Sequence, residues 1–488
     1  MPYRHLPPFA GASGRRIRVF ASLLLGVGLA GCAVGPTYQP PATKLAAFHN
    51  APAAEARSAP VAPPLDRWWT GFNDPILNRL IDRALAENLD LAGALARVDQ
   101  ARAATEAATA QLLPALDASG QQAAQHQSLN SPLGEIGQTL PGYKRDQRLY
   151  DAGVAASWEI DLAGGLRRGR NAAEDERQAA SAEAVGTRIS VAAEVADAYF
   201  QIRGDQARIA AVQGQIDVDA HTLELVQQLH DRGLTNDRAL FQTQAVLKQA
   251  QAALPPLNIA LEVQLNRLDV LLGAQPGTYA TEMAAVHEVP SAPALPDAGT
   301  PTDFLRRRPD VIAAERRLAA ANENIGVAIS DYYPKLSLSG LLGAESPTGD
   351  QLFKGRSAQS QVAGGFRWRI FDFGRVDAEV KSARGARAAA FAAYRQTVLH
   401  AAEDVEDAFV TLTQTETLTA QLQDEVDALQ HARDLSQQAY AAGAIPLTDV
   451  LDANRQLLVA QDQLAQNRAD TARAAVRSFR ALGGGWAP

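Results

Sequence analysis

The stretch WEIDLAG at residues 158–164 decides the fold, because its outline returns as WRIFDFG at residues 368–374. The two stretches are 210 positions apart, and this offset holds without insertion over about 115 positions. Nine pairs of identical residues share the offset: Trp158 and Trp368, Ile160 and Ile370, Gly164 and Gly374, Val195 and Val405, Asp197 and Asp407, Gly233 and Gly443, Leu247 and Leu457, Leu272 and Leu482, Gly273 and Gly483. Self-similarity at a fixed spacing indicates one structural design used twice.

Upstream of these stretches the offset becomes 220. It relates four further pairs: Asp90 and Asp310, Pro114 and Pro334, Ser119 and Ser339, Gly120 and Gly340. Each copy therefore reads helix, strand, loop, strand, long helix, tight turn, helix. We predict a first repeat at 67–273 and a second at 304–486, joined by a proline-rich linker at 274–303.

Four segments show the alternation of apolar and polar residues that is typical of strands. We predict strands at 114–124, 150–160, 334–343 and 361–371, with the apolar residues at even-numbered positions. Each has about the ten residues that a tilted strand needs to cross a bilayer. A half-buried soluble sheet shows the same alternation, so the strand pattern alone leaves both interpretations open.

Long helices favour the first interpretation. A helix at 310–330 and two helical hairpins at 166–272 and 374–482 are predicted from apolar residues at helical spacing. Leucines at intervals of seven indicate a coiled-coil seam in the first hairpin, and the positions equivalent to the first three of them are apolar in the second. These seam residues are Leu240, Leu247, Leu254, Leu261 and Leu268, and then Val450, Leu457 and Leu464. Pro255-Pro256 predicts a helix break near Leu254 in the first hairpin only.

The N-terminus has the organisation of a bacterial export signal. Arg15, Arg16 and Arg18 precede an apolar stretch at 19–29, which ends in Leu29-Ala30-Gly31-Cys32. Cys32 is the single cysteine of the chain, and these four residues resemble a lipobox, in which the cysteine is acylated after cleavage. We therefore predict a signal peptide at 1–31 and a lipidated extended linker at 32–66; the alternative is an ordinary signal peptide with an incidental cysteine. Ala33 and Val34 lack the aspartate typical of inner-membrane retention, which favours the outer membrane.

Composition and motifs argue against several other functions. The formal charge of −8 gives no basic surface for nucleic acid. After the signal no stretch reaches 18 apolar residues, so a membrane-crossing mature chain would have to do so as a closed β-barrel. Gly26-Val27-Gly28-Leu29-Ala30-Gly31 matches a dinucleotide-binding pattern but lies inside the export signal, and no Walker, HExxH or CxxC motif occurs. We predict that the protein is not an enzyme and binds no cofactor or metal; His221 and His230 are interpreted as solvent-facing.

Several short motifs, in this order and on this repeat, resemble the outer-membrane efflux factors of the TolC and NodT type. The resemblance runs from the lipobox to the C-terminus. The motifs are Trp68-Trp69 with Phe72, Asp74-Pro75, Arg306-Arg307-Arg308-Pro309-Asp310-Val311, Glu315-Arg316-Arg317-Leu318, Tyr333-Pro334, Asp372-Phe373-Gly374, Val450-Leu451-Asp452-Ala453 and Ala481-Leu482-Gly483-Gly484-Gly485-Trp486.

The resemblance implies an α+β membrane protein. Three protomers with four strands each would form one 12-stranded β-barrel, continued by a long α-helical periplasmic barrel. The implied function is the outer-membrane exit duct of a tripartite efflux system, with drugs or other small molecules as cargo. The implied partners are two further copies of the chain, a periplasmic adaptor (membrane fusion protein), an inner-membrane transporter of the RND type and outer-membrane lipid. Two alternatives stay open: an exit channel for type I protein secretion, and a lipid-anchored structural stalk that conducts nothing.

The resemblance also assigns functional residues. The periplasmic gate would be formed by Asp449 and Asp452, three apart on one helical face, together with Tyr440. Six carboxylates around a threefold axis should raise the pKa of these groups and attract cations. The adaptor would dock on the two hairpin turns, namely Gly233, Leu234 and Thr235, and Gly443, Ala444 and Ile445. The family's latch ion pair is absent, because its two positions hold Ala239 and Ile445; Asp237 and Arg238 lie nearby.

Overall fold

The computed structural model describes residues 33–42, 45–57, 62–296 and 306–486. The predicted signal peptide at 1–31 and the predicted lipidation site Cys32 lie outside the described residues. The chain forms two compact units. The sheet unit comprises the described residues of Met1–Gln39, Ala101–Arg177 and Arg317–Ala390, and the helical unit those of Pro40–Gln100, Gln178–Arg316 and Phe391–Pro488. Each unit takes segments from both repeats, so the repeats of the sequence are not the compact units of the structure.

Helices dominate both units. The α-helices are α1 Ala51–Glu55, α2 Pro75–Glu87, α3 Leu89–Ala110, α4 Pro132–Gly137, α5 Gly165–Asp231, α6 Asp237–Ala252, α7 Leu254–Leu271, α8 Ala280–Met283, α9 Pro309–Ser330, α10 Arg375–Ala441 and α11 Leu447–Ala481. Within the described part of the chain, 3-10 helices span Leu65–Phe72, Gly349–Gln351 and Gly355–Ser357. The long helices α5 and α10 have 67 residues each, and their first and last residues are separated by the same offset of 210. Within the described residues no helix combines the length and the apolarity that a membrane span requires.

The sheet unit contains one antiparallel sheet in the order β1-β2-β3-β4, with strands from both repeats. The strands are β1 Ala115–His126, β2 Asp146–Ile160, β3 Lys335–Ser346 and β4 Ala358–Arg367. In the register, Val154 lies opposite both Ala118 and Leu342, and Leu336 lies opposite both Ile160 and Phe366. Even-numbered residues therefore always oppose even-numbered residues, and the apolar positions of all four strands share one face.

The strand ends differ from the predicted ones. The segment predicted as a strand at 361–371 ends at Arg367 in the structure, because the Trp368 indole NH donates to the Tyr332 carbonyl 2.9 Å away and Asp372 accepts the backbone NH of Val376 at the start of α10. The other strands run past their predicted ends. Side chains at the end of the β1–β2 hairpin pair with each other, since His126 Nδ1 lies 2.7 Å from Asp146 Oδ1. Hydrogen-bonded polar residues continue the ladder there without any alternation in the sequence.

The segment predicted to be an extended linker at 32–66 is partly helical. It contains α1 and the start of the 3-10 helix, and its side chains bind the helical unit. The Asn50 amide donates to Glu406 at 2.8 Å, and Arg57 Nε donates to Glu416 at 2.8 Å. The proline-rich linker predicted at 274–303 also contains a helix, α8. The hydrogen bonds of Asn50 and Arg57 join residues more than 350 positions apart, so local composition could not predict them.

The core of the helical unit is aromatic at its centre. Trp68 stacks on Phe479 with ring centroids 5.4 Å apart, and Phe72 packs on Phe200 at 4.7 Å. Alanines with no exposed surface, such as Ala196 and Ala475, let the surrounding helices approach closely. Burying each large ring contributes about 1.5–3 kcal/mol, so this cluster stabilises the packing of α2, α5 and α11.

Ion pairs join the long helices of the two hairpins. Arg208 on α5 donates to Asp462 on α11 at 2.6 Å, and Arg473 on α11 donates to Asp197 on α5 at 2.7 Å. The two pairs have the same sum of residue numbers, as expected for antiparallel helices. These side chains are partly exposed, so water screens the attraction between their charges. The pairs therefore fix the register between α5 and α11 but contribute little to the free energy of unfolding.

Candidate functional site

The turn of the first hairpin is a helix C-cap of the Schellman type. The Leu234 NH donates to the Leu229 carbonyl at 2.9 Å, and the Gly233 NH donates to the His230 carbonyl at 2.8 Å. These are the two bonds that define the motif, and they require the left-handed conformation found at Gly233, where φ is +70°. Leu234 is 71% exposed and Thr235 is half-buried. The turn thus presents an apolar side chain that nothing in the described protomer covers.

The turn of the second hairpin has the same geometry. The Ala444 NH donates to the Ala439 carbonyl and the Gly443 NH to the Tyr440 carbonyl, both at 2.9 Å, and Gly443 has a φ of +71°. Ile445 is half-buried, as Thr235 is. A Cβ added at either glycine would meet no atom within 4 Å. The glycines are therefore required by the backbone conformation within the protomer, and the space beside them is open.

One side-chain contact distinguishes the first turn. His230 Nε2 lies 2.8 Å from Asp237 Oδ1 and so bridges the end of α5 and the start of α6. The hydrogen bond to Asp237, together with Asp231 on the other side of the ring, raises the pKa of His230 above its ordinary value. The equivalent positions of the second turn hold Tyr440 and Leu447, which cannot form this pair. The sequence analysis missed the contact by interpreting His230 as solvent-facing; a histidine and an aspartate seven residues apart around a turn were the available signal.

The predicted gate residues lie on two helices. Asp449 and Asp452 are on the exposed face of α11, while Val450 and Leu457 between and beyond them are buried. Tyr440 is half-buried near the end of α10. The structure thus brings the two aspartates together on one helical face, as their spacing predicts.

Within one protomer the pKa of Asp452 is shifted in the direction opposite to the one predicted for a ring of carboxylates. Arg455 donates to Asp452 at 2.6 Å, and Gln456 donates to its other carboxylate oxygen at 2.6 Å. The hydrogen bond from Arg455 lowers the pKa of Asp452, whereas crowding of carboxylates alone would raise it. Arg455 was not noticed in the sequence, although residues three positions apart on a helix are neighbours and Arg455 is three positions after Asp452.

One of the latch positions named by the family resemblance lies close in the chain to an ion pair within the first hairpin. Asp237, which lies near the latch position, already contacts His230 of its own hairpin. Ala239 and Ile445 occupy the latch positions themselves. An ion pair from Asp237 to another hairpin would therefore have to compete with the existing one.

A buried ion pair holds the N-terminal segment in the sheet unit. Both carboxylate oxygens of Glu323 accept from Arg168 Nη1, at 2.8 and 2.9 Å. Arg168 also donates to the carbonyl of Val34 at 3.1 Å and to that of Gly35 at 3.3 Å. A Cβ at Gly35 would lie 2.6 Å from the backbone of Gly326, so glycine alone fits there. We call this arrangement the N-terminal clamp; the sequence analysis did not predict it, because its parts are far apart in the chain.

The two faces of the sheet differ in chemistry. Large apolar side chains stand exposed on the even-numbered face, with Leu342 at 70% and Val362 at 81%. The odd-numbered face carries polar groups, and Asp151 lies directly opposite Glu345 and accepts from Gln359 at 3.0 Å. An apolar face this exposed is unusual for a protein surface in water.

Tryptophans mark equivalent places in the two repeats. The Trp158 indole donates to the carbonyl of Leu112 at 3.0 Å, and the Trp368 indole donates to that of Tyr332 at 2.9 Å. Both acceptors lie two residues before the proline that precedes a strand. Within the described ranges, no three His, Cys, Asp or Glu side chains come together as a metal site would require.

Comparison with known proteins gives one consistent family. The model of the family described as "Outer membrane efflux protein" matches residues 80–274 and 300–484. The chain is 31% identical to the "Solvent efflux pump outer membrane protein SrpC" of Pseudomonas putida over 97% of its own length and 98% of that protein. It is 34% identical to the "Pyoverdine export outer membrane protein OpmQ" of Pseudomonas putida over 87% and 89%. Its structure resembles the outer-membrane channel OprN with a TM-score of 0.84 and 32% identity, covering 94% of this chain and all of that one.

Proposed function

The chain belongs to the outer membrane efflux protein family, and from this premise we propose that it works as a homotrimer, as the exit duct of a tripartite pump. In this role the sheet units of three protomers form a 12-stranded barrel in the outer membrane, and the helical units lie in the periplasm. The two sequence repeats give each protomer two strands per copy and two hairpin turns. A periplasmic adaptor and an inner-membrane transporter of the RND type complete the pump.

The observation that carries this proposal is the sheet. It has an exposed apolar face, and within the described residues its edge strands β1 and β4 have no outer neighbour. Unpaired edges in a bilayer would each leave a row of unsatisfied backbone groups, which only closure removes. Pairing β1 of one protomer with β4 of the next closes the sheet, turns the apolar face to lipid and leaves the polar face around a lumen.

Two neighbouring residues on opposite faces of β4 provide the test. Val362→Arg places a charge on the lipid face and should cost up to about 2–4 kcal/mol, so that folded trimer disappears from the outer membrane. Ala363→Arg places the same charge on the lumen face and should assemble normally. Folded trimer in outer-membrane fractions and conductance of the purified protein in planar bilayers are the readouts. Equal tolerance of both arginines, or assembly without conductance, would contradict the exit duct and favour a non-conducting stalk.

We further propose that Cys32 carries the lipid anchor. Its lipobox supports this, and the adjacent residues 34–35 are held by the N-terminal clamp. Mass spectrometry of the mature N-terminus should detect an acylated cysteine. Cys32→Ser behind an ordinary export signal should lose the acyl groups and still be embedded in the membrane through the barrel. Recovery of that variant as a soluble periplasmic protein would contradict the barrel.

The hairpin turns are the proposed docking points for the adaptor, and Tyr440, Asp449 and Asp452 the proposed gate. Open space beside Gly233 and Gly443 supports close approach of another chain. Exposed carboxylates on one face of α11 support a cation-attracting ring at the threefold axis. The names of the relatives, a solvent pump and a pyoverdine exporter, favour small-molecule cargo over secreted protein. Loss of resistance to solvents and drugs in a strain without the gene would test the cargo class.

A further inference from the structure

The connection between β3 and β4 is an ordered loop that lies over the apolar face of the sheet. The Ser357 NH donates to the Lys354 carbonyl at 2.8 Å, and the Ser357 hydroxyl donates to the Gln351 carbonyl at 2.8 Å. A Cβ at Gly349 would lie 3.5 Å from the ring of Tyr150, an even-numbered residue. Its own hydrogen bonds thus shape the loop, and the proximity of Gly349 to Tyr150 shows that the loop lies on the even-numbered face.

A cavity of about 530 Å³ lies between this loop and the sheet. The sheet contributes Val154, Leu342 and Ala344, and the loop contributes Leu352, Phe353 and Lys354. Leu342 and Phe353 are largely exposed. The cavity is therefore an open groove with apolar walls and one cation at its rim, and water alone would solvate those walls poorly.

The charges around the groove favour an anion. Lys354 and Arg356 are two residues apart in the loop, both are exposed, and neither forms an ion pair with any described residue. The loop contains one acid, Asp350, in its first 3-10 turn, and Glu345 belongs to the odd-numbered face. Lys354 at the groove, with Arg356 two residues further along the loop, matches a molecule with a phosphate at one end and a hydrocarbon chain at the other.

The topology indicates the leaflet. β2 leads directly into α5 and β4 into α10, so the β3–β4 loop lies at the end of the sheet opposite to the starts of α5 and α10. With the helices in the periplasm, as proposed above, this loop faces the outer surface. We propose that the groove binds an acyl chain of a phosphorylated glycolipid of the outer leaflet, with Lys354 and Arg356 contacting its phosphate; the assignment rests on the proposed membrane orientation.

Lipid A binding to the purified trimer, measured by native mass spectrometry, tests the groove. We expect bis-phosphorylated lipid A to bind about tenfold more tightly than its dephosphorylated form, because charge-assisted hydrogen bonds are lost with the phosphates. Lys354→Ala with Arg356→Ala should remove this preference. Lys144→Ala with Arg145→Ala, an equal charge change in the β1–β2 connection, should keep it. Ala344→Phe, which fills the groove, should weaken both forms.

Three outcomes would overturn the inference: no phosphate preference in the wild type, equal loss in the Lys144/Arg145 control, or equally tight binding of phosphatidylglycerol. Trimer content and bilayer conductance are measured on the same samples. Samples that are trimeric and conducting but bind lipid A without preference would refute the groove alone. Samples that neither assemble nor conduct would refute the proposed function itself.

Discussion

The two helical hairpins share one plan but are held together differently. In the first, α5 packs with α6 and α7, the return helix is interrupted at Ala253, and His230 and Asp237 bridge the turn. In the second, α10 packs with α11, which runs for 35 residues without interruption, and no side chain caps its start at Pro446. The backbone geometry of the turns is the same in both. The two turns thus share one backbone shape, while the first turn has a side-chain bridge that the second lacks.

The interiors of the hairpins differ as well. Asn467 on α11 donates to the Thr415 carbonyl at 3.0 Å and to the Thr419 hydroxyl at 2.7 Å, and Thr419 lies 3.0 Å from Thr471. The position equivalent to Asn467 in the first hairpin is the buried Leu257. A polar contact inside a helical pair specifies its register, whereas an apolar seam permits adjustment. The second hairpin is therefore suited to move as one body, which fits its proposed place in the gate.

Exchanging the two interior residues should have the largest effect. Leu257→Asn places an amide without a partner in a buried seam and should lower the free energy of unfolding by about 2–5 kcal/mol. Asn467→Leu removes two hydrogen bonds and should cost about 1 kcal/mol. Denaturant unfolding followed by helical circular dichroism compares the two. Equal losses would show that the two interiors do not differ in kind.

The turn glycines test whether the shared geometry serves docking. Gly443→Val forces a β-branched residue to φ near +71°, which destabilises the turn by about 1–2 kcal/mol. We expect drug resistance to fall to the level of the deletion strain, while the trimer remains in the membrane. Gly443→Asn is the matched variant, because asparagine tolerates this conformation but adds a side chain. Loss of resistance in both variants indicates close approach by another chain, and loss in valine alone indicates backbone strain. Unchanged resistance in Gly443→Val would argue against docking at this turn; the same pair at Gly233 compares the hairpins.

The gate proposal predicts an effect confined to the second hairpin. Asp449→Ala with Asp452→Ala should lower cation selectivity and remove block by divalent cations in single-channel recordings, because the proposed carboxylate ring is lost. Asp424→Ala with Asp427→Ala removes two exposed carboxylates with the same spacing from α10 and should change neither. If the first double variant keeps the selectivity and block of the wild type, these aspartates are not the gate. Arg455→Ala sharpens the test, since removing this cation should strengthen the selectivity.

The contact between His230 and Asp237 predicts a small, pH-dependent effect on the stability of the first turn. Because contact with Asp237 raises the pKa of His230, the bridge is fully present below the ordinary histidine pKa of about 6.5 and is lost as pH rises through the raised value. Amide exchange at Gly233 and Leu234 should be slower in the wild type than in His230→Gln at about pH 5.5, and equal at about pH 9. Tyr440→Gln should show no such pH dependence at the second turn. A constant difference between wild type and His230→Gln at both pH values would contradict the bridge.

Local patterns predicted the parts of the fold that local chemistry specifies. Alternation placed Val154 and Leu342 on the same face, and the register confirms that they lie opposite each other. Pro255-Pro256 predicted the break, which lies at Ala253 just before them. The predicted end of the fourth strand was wrong, because the strand stops before Trp368. The Trp368 side chain forms a hydrogen bond that the periodicity of the sequence does not predict.

Contacts between distant segments escaped the sequence analysis. The ion pair of Arg168 with Glu323 joins residues 155 positions apart and depends on which helix faces end up together. The contact of His230 with Asp237 spans only seven positions, and it was missed although the spacing around the turn is visible in the sequence. Arg455 beside Asp452 was missed as well, although helical spacing alone predicts that contact. The gate aspartates themselves were identified only through a family resemblance, and their role stays a prediction.

The N-terminal clamp determines when the start of the chain can settle. Its parts come from residues 34–35, from Arg168 and from Glu323, so about two thirds of the polypeptide must emerge before the last partner exists. Contacts of such long sequence separation form late, because the entropy of closing the loop must be overcome first. Residues 34–35, which follow the proposed lipidation site Cys32, therefore bind late in folding. Once the clamp has formed, the start of the chain is bound to Arg168 of the first half and, through it, to Glu323 of the second half.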